Sequence, residues 1–479
     1  MNHKNILYII GWILKLEGFV MLFPLFVAVC YRESSGLTFV LCSLIGIFLG
    51  QILTRKRPNH SAFYARDGFL TVAISWIAIS ILGCLPFYFS REIPSFLDAL
   101  FEIVSGFTTT GASILTDVEH LSKCMLFWRS FSHWFGGMGV LVFMLAILPM
   151  GGGGENLHLM RAESPGPSVS KLVPKLRTTA VYLYGIYIAI TLLEVILLLF
   201  GRMSVFDALC LSFGTTGTGG FGLLNSSISS YSHYIQSVIT IFMLLSGVNF
   251  TLYFFLLMRR TKEAFQMEEV RWYFIIYTVT VLLITCNVAA SQGHFFETFH
   301  HAAFQVASVM TTTGYSTLDY NTWPEFSRSL IILIMFIGAC AGSTGGGMKI
   351  SRFIIYFKCV GKELSYLIHP RSVKILKMDG KKIEHEVIRS ANAYLMAYIM
   401  IFITSLLLLS LNGFDFTTNF TAVAATLNNI GPGLNLVGPA GNFSMFSNGE
   451  KLVLIFDMLA GRLEIFPMLL LIAPRTWRK

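Results

Sequence analysis

Uncharged apolar stretches recur along this chain from one end to the other, and they leave few folds open. A run of ~18 or more apolar residues is long enough to cross a bilayer as a helix. Runs of that kind lie near 6–30, 36–54, 68–90, 124–150, 178–200, 235–258, 271–291, 325–350, 391–411 and 449–474. Ten spans in 479 residues describe a polytopic membrane protein. It is read as all-α, because in lipid each backbone polar group needs a partner inside its own segment. Composition agrees: only 13% of the residues are charged, about half the share of a soluble domain. A soluble enzyme, a disordered chain and a collagen-like fibre are excluded.

The net charge of +9 evokes nucleic acid, but membrane proteins gather their excess cations on cytoplasmic loops. With the N-terminus in the cytoplasm, loops 55–66, 155–177, 259–271 and 351–390 and the tail from Arg475 share one side. Of the 35 Lys and Arg, 26 then fall inside and 7 outside (Arg32, Arg91, Lys123, Arg129, Arg202, Arg328, Lys451), with Lys15 and Arg462 within spans. That asymmetry places both termini in the cytoplasm and leaves nucleic acid no role. The first segment, Ile6 to Cys30, lacks a small-residue cleavage site and is read as an anchor. The eight cysteines are scattered with no CxxC pair, as small core hydrophobes are.

Four further segments, 94–110, 204–219, 295–313 and 414–430, are apolar but too short or too broken to cross. Each lies in an extracellular connection between two spans and ends in Thr, Gly or Asn. The pattern of span, half-span, glycine loop and span therefore occurs four times after two leading helices. The chain divides into 1–66 (two-helix extra domain), 67–177, 178–270, 271–390 and 391–479 (repeats one to four). Four parallel copies arrange naturally around an axis along the membrane normal.

The loops read Thr108-Thr109-Thr110-Gly111-Ala112-Ser113, Gly217-Thr218-Gly219-Gly220-Phe221-Gly222, Thr311-Thr312-Thr313-Gly314-Tyr315-Ser316 and Asn428-Asn429-Ile430-Gly431-Pro432-Gly433, and they align on Gly111, Gly220, Gly314 and Gly431. Unpaired carbonyls at membrane depth are tolerated only against protein or a water-filled cavity. A dehydrated cation needs a ring of oxygens, which backbone carbonyls supply, and glycine permits the backbone that turns them to one axis. Each half-helix would aim its negative C-terminal end at the ion. Asp98, Asp207, Glu297 and Asp415 stand near the starts of those half-helices. One such loop is explained by close helix packing through small residues; four at matching places point to a pore.

These loops resemble the selectivity filters of the Trk/Ktr/HKT superfamily of cation transporters, and the likeness to its bacterial TrkH/TrkG branch runs over essentially the whole chain. It is carried by Met310 to Ser316, Ala341-Gly342-Ser343-Thr344-Gly345-Gly346-Gly347-Met348-Lys349, Asn428 to Pro432, Gly461-Arg462-Leu463-Glu464-Ile465-Phe466 and the two leading helices. The resemblance implies four membrane-pore-membrane units around a pseudo-fourfold central pore for K⁺ uptake across a bacterial inner membrane. The filter would be Thr109, Thr110, Gly111, Thr218, Gly219, Gly220, Thr312, Thr313, Gly314, Asn429, Ile430 and Gly431. K⁺ would sit at Thr110, Gly111, Gly219, Gly220, Thr313, Gly314, Ile430 and Gly431, with no organic cofactor on the chain. In related plant members serine at the first filter glycine favours Na⁺, so Gly111 speaks for K⁺. Gly219, where the first and third loops carry threonine, and Pro432 directly after Gly431 leave the carbonyl geometry open. The resemblance also implies a homodimer and a cytosolic TrkA-type nucleotide-binding regulatory partner.

The span 325–350 carries Gly338, Gly342, Gly345, Gly346 and Gly347 near its end, a density that breaks a helix. In the resembling family the matching segment is an intramembrane loop that obstructs conduction, a role this places on Gly342, Ser343, Thr344, Gly345, Gly346 and Gly347. A phosphate-binding loop fails on spacing, since Lys would be needed at Met348. Arg462, deep in the last span, is a charge that faces a cavity or a partner, and the family places a positive residue beneath the filter; pairing with Glu464 or Asp457 is the bland account. Lys15 and Glu17 suit structural pairing between helices, and His133, His300 and His301 are read as structural. Nine Lys or Arg in 351–390 fit topology and contact with anionic lipid. No Ser/His, paired Asp or HExxH arrangement within spans supports an intramembrane enzyme. Channel-like conduction and Na⁺- or H⁺-coupled symport both stay open.

Overall fold

A computed structural model describes residues 3–55, 64–139 and 176–477. Residues 140–150 of the span expected over 124–150, and most of the loops expected over 55–66 and 155–177, lie outside the described residues. Helices build the fold; the strands among the described residues are two of two residues each, Lys377–Met378 and Lys381–Lys382, paired as an antiparallel hairpin.

The leading pair is His3–Val20, continued after Met21 as Leu22–Tyr31, against Gly36–Thr54. Small residues let these backbones meet: a Cβ on Gly18 would lie 2.9 Å from the Ser43 carbonyl, and one on Gly46 3.0 Å from that of Leu14. Lys15 donates to Thr54 Oγ1 at 2.5 Å, the expected pairing between helices. Glu17 is fully buried, and no described group hydrogen-bonds its carboxyl.

Four repeats follow. Each opens with a long apolar helix: Ala65–Phe89, Leu176–Phe200, Glu268–Gln292 and His385–Leu409. Each continues with a short one: Phe96–Phe107, Val205–Thr216, Phe295–Met310 and Phe416–Leu427. The short helices begin where the carboxylates suggested. Ser95 and Ser204 cap by accepting the N–H of Asp98 (3.3 Å) and Asp207 (3.0 Å), and Asp415 itself accepts that of Thr418 at 3.0 Å.

The second long helix of each repeat ends or bends before the far end of its expected span, a break that glycine density foretold only for 325–350. Among the described residues six helices are long and apolar enough to cross a membrane, and a seventh only if His233–Gly247 and Phe250–Leu257, bent by 89°, count as one. Within the described residues, the segments expected over 124–150, 325–350 and 449–474 open with the helices Lys123–Gly137, Glu325–Ile337 and Asn448–Arg462. The breaks have local causes: φ is positive at Gly139 (84°), Gly338 (72°), Glu464 (58°) and Ile465 (68°), and a helix does not pass such residues. Beyond the breaks the third repeat resumes as Ile350–Ile368 and the fourth as Phe466–Ile472. The first helix of each repeat is thus continuous over its described residues, and the second is interrupted in repeats two, three and four and stops at Gly137 in the first.

Candidate functional site

All four short helices end in the same way. Thr109, Thr218, Thr312 and Asn429 have φ of 55°, 54°, 58° and 55°, and two residues on Gly111, Gly220, Gly314 and Gly431 have φ of 79°, 77°, 89° and 99°. The N–H groups of Thr110, Gly219, Thr313 and Ile430 donate to the carbonyls of Ser105, Gly214, Ser308 and Ala425 at 2.9, 2.8, 2.8 and 2.8 Å. This is the six-to-one bond that closes a helix on a left-handed residue. With φ positive at every second residue, successive carbonyls turn to one side instead of alternating. A β-branched threonine in the left-handed region costs about 1–2 kcal/mol, and three repeats bear that strain; the fourth places there Asn429, which tolerates the region.

The loops meet in a closed ring. A Cβ built on Gly111 would collide with the carbonyl oxygen of Gly219, one on Gly220 with that of Thr313, and one on Gly314 with that of Ile430. A Cβ on Gly431 would lie 2.7 Å from the Thr110 oxygen, which returns the series to its start. Each aligned glycine therefore abuts the residue preceding the aligned glycine of the next repeat, in the order one, two, three, four, one. Thr109, Thr110, Thr218, Thr312, Thr313, Asn429 and Ile430 are fully buried. Hydroxyl pairs brace the alike first and third loops, Thr108 with Thr110 at 2.8 Å and Thr311 with Thr313 at 2.7 Å. The divergent fourth loop is tied in by Asn429, whose Nδ2 donates to Thr110 Oγ1 and to the Met458 carbonyl, both at 2.9 Å.

Gly219 has a specific compensation. The imidazole of His133 fills the space where a side chain on Gly219 would go. His133 Nδ1 donates to the Gly106 carbonyl at 2.7 Å, and Nε2 accepts the Phe221 N–H at 3.3 Å, so its two partners fix the tautomer. The ring joins the first short helix to the second loop. Beside it, buried Arg129 pairs with Glu102 at 2.6 Å, donates to the Gly222 carbonyl at 2.9 Å and lies over the Phe221 ring. Glu102 also accepts the Ile114 N–H at 3.0 Å. Sequence reading counted Arg129 merely among the outward-side cations and passed over Glu102. A carboxylate inside an apolar half-span was the signal that both had partners.

On the helix-end side of the ring lies the segment Gly338 to Lys349. A Cβ on Gly345 would lie 2.9 Å from the Thr311 oxygen, and one on Gly346 2.5 Å from that of Asn428. The Gly346 N–H donates to Thr312 Oγ1 at 2.6 Å. Ser343, Thr344, Gly345, Gly346 and Gly347 are buried, and Gly342 partly so. Arg462 donates to the Thr344 carbonyl at 2.8 Å and to those of Gly136 and Gly137 at 2.5 and 2.6 Å, bridging this segment to the first repeat. Lys349 donates to the Gly345 carbonyl, Arg352 pairs with Glu464, and Asp457 accepts from Ser405. Cations thus cluster where the four helix C-termini concentrate negative potential. His300 and His301 lie apart from the ring, bonded to Gln236 at 2.8 Å and Thr317 at 2.9 Å.

This is an integral membrane protein of a definite class: four helical repeats close a ring of backbone carbonyls around one axis, with a glycine-rich segment and an arginine beneath it. Residues 36–479 match the family described as TrkH, cation transport protein. The chain belongs to that family. It is 37% identical to the Trk system potassium uptake protein TrkH of Vibrio parahaemolyticus, over all of both chains. It is 33% identical to the Trk system potassium uptake protein TrkG of Escherichia coli, over 99% of both. The crystal structure of the potassium transporter TrkH from Vibrio parahaemolyticus superposes with a TM-score of 0.89 at 35% identity, covering both chains in full.

Proposed function

We propose that this chain carries K⁺ into bacterial cells across the inner membrane, with both termini in the cytoplasm. Potassium is the ion named in its relatives, and one observation supports the reading above others: each aligned glycine lies against a carbonyl of the next repeat, so four loops enclose one axis. Carbonyls of Thr110, Gly111, Gly219, Gly220, Thr313, Gly314, Ile430 and Gly431 would replace the water of a K⁺ ion entering from outside. Glycine at all four aligned positions keeps side chains out of that space.

The segment Gly342 to Gly347 lies directly beneath, and Arg462 anchors it. A positive charge and a packed loop together oppose passage of a cation, so the segment serves as the gate. Opening it requires Arg462 to give up the Thr344 carbonyl. A cytosolic nucleotide-binding regulator and a second copy of the chain are the expected partners, and the basic stretch 351–390 faces anionic lipid.

Ion flux into vesicles containing only the purified chain tests the function. K⁺ and Rb⁺ should pass far better than Na⁺. Equal passage of Na⁺ overturns the assignment, and uptake that requires a Na⁺ or H⁺ gradient establishes symport instead.

A further inference from the structure

Glu269 stands at the start of the helix Glu268–Gln292 and is buried. Its Oε1 accepts the Ala341 N–H at 2.6 Å and the Ser351 N–H at 3.1 Å, and Asn249 Nδ2 lies 3.5 Å from Oε2. One carboxylate oxygen thus receives both shoulders of the segment beneath the ring. Two N–H groups on either side of a break in a helix have no partner within it, and an ionised acceptor holds them about twice as strongly as a neutral one.

The neighbouring residue carries the connection outward. Glu268 accepts Lys358 Nζ at 2.6 Å, and its N–H donates to Asp379 in the turn of the hairpin. The same ammonium donates to the Lys377 carbonyl at 2.6 Å. Met378 of the hairpin packs on the small core formed by Val270, Tyr273, Cys340, Ile350 and Ile354. Hairpin, helix start and segment are therefore one mechanical unit.

We propose that Glu269 is the positioning residue that latches the gate segment shut, and that the hairpin Lys377–Lys382 is the handle through which force from the cytoplasmic side releases it. This rests on the reading of Gly342 to Gly347 as the gate. Pulling the hairpin outward draws Asp379 and Lys358 from Glu268, shifts the helix start, and frees the Ala341 and Ser351 N–H groups together.

The test is ⁸⁶Rb⁺ uptake into proteoliposomes holding the full chain alone. Glu269→Gln, which removes the charge but hardly changes the size, should raise basal uptake about tenfold, as expected for one charge-assisted bond. Asp379→Ala, at the exposed turn, should raise it about twofold. Because the ring is untouched, the preference for Rb⁺ over Na⁺ should stay at the wild-type value in both, a readout that general loosening of the fold would move. Glu269→Asp should return uptake toward wild type. Wild-type uptake in folded Glu269→Gln, or a lost ion preference, overturns the proposal. If Glu269→Gln does not fold, Asp379→Ala decides by the same criteria. Deleting Gly345 to Gly347 separates the layers: a rise there without one in Glu269→Gln sinks the latch alone, and no rise in either removes the gate and the latch with it.

Discussion

At the scale of single residues, the ring depends on what four glycines lack. Gly314 combines a φ of 89° with a neighbouring oxygen, that of Ile430, where a side chain would begin. Serine there adds about 1–2 kcal/mol of backbone strain and must push that carbonyl aside. Gly314→Ser should cut the K⁺ over Na⁺ preference about tenfold in vesicle flux, and an unchanged ratio would remove Gly314 from the filter. His133 illustrates the converse, a side chain filling in for a missing one. His133→Ala leaves the Phe221 N–H without its partner and the Gly106 carbonyl with only the Thr109 N–H at 3.1 Å, and opens a void beside Gly219. It should lower stability by about 2–4 kcal/mol and weaken selectivity through the second loop. Thermal unfolding in detergent together with flux checks both, and a stable, fully selective variant would make the imidazole mere packing.

Among the elements, the short helices were legible because two signals coincide: a carboxylate in or beside the first turn, and a Thr, Gly or Asn loop after an apolar run. Interruption of the second helices was less so. A hydropathy window averages across Gly247, Val248 and Asn249, where the chain turns by 89°, and apolar composition does not report φ. Gly338 to Gly347 announced its break through glycine density alone. Glu269 could not be read from sequence, since its partners Ala341 and Ser351 lie 72 and 82 residues away and offer only backbone N–H groups. The segment itself is held to the ring by the Gly346 N–H on Thr312 and by Arg462 on the Thr344 carbonyl. Deleting Gly345 to Gly347 removes the first tie and displaces the second. Basal Rb⁺ uptake should rise at least about tenfold, the loss of a charge-assisted bond to Arg462 alone sufficing. A folded deletion variant that conducts like wild type would show that the obstruction lies elsewhere.

For the molecule as a whole, a ring of four loops is only as sound as its four seams, and each is stitched on the outer side by loops of adjacent repeats. The Ile228 N–H donates to the Ser316 carbonyl at 3.0 Å between repeats two and three, and the Phe443 N–H donates to the Ser113 carbonyl at 2.8 Å between four and one. Asn435 and Asn321 join three and four at 2.8 Å. Lys451 and Asp98 add an ion pair at 2.6 Å across the fourth seam, with side chains 7% and 25% exposed. Water still reaches Asp98, so Lys451→Met should cost about 1–2 kcal/mol rather than the full penalty of a buried orphan charge. The seam between one and two is held by Asn225, which donates to Asp117 at 2.9 Å and accepts the Val118 N–H at 2.8 Å. That hydrogen bond holds the Asp117 carboxyl below its ordinary value. A carboxyl so lowered contributes stability that is complete above the ordinary pKa of about 3.9 and is lost as pH falls through the lowered one. The difference in thermal midpoint between wild type and Asp117→Asn should therefore stay constant from pH 7 to about 5 and shrink in more acidic solution. A difference that already changes between pH 7 and 5 would mean that the seam is governed by another group, and that the first two repeats are not joined through Asn225.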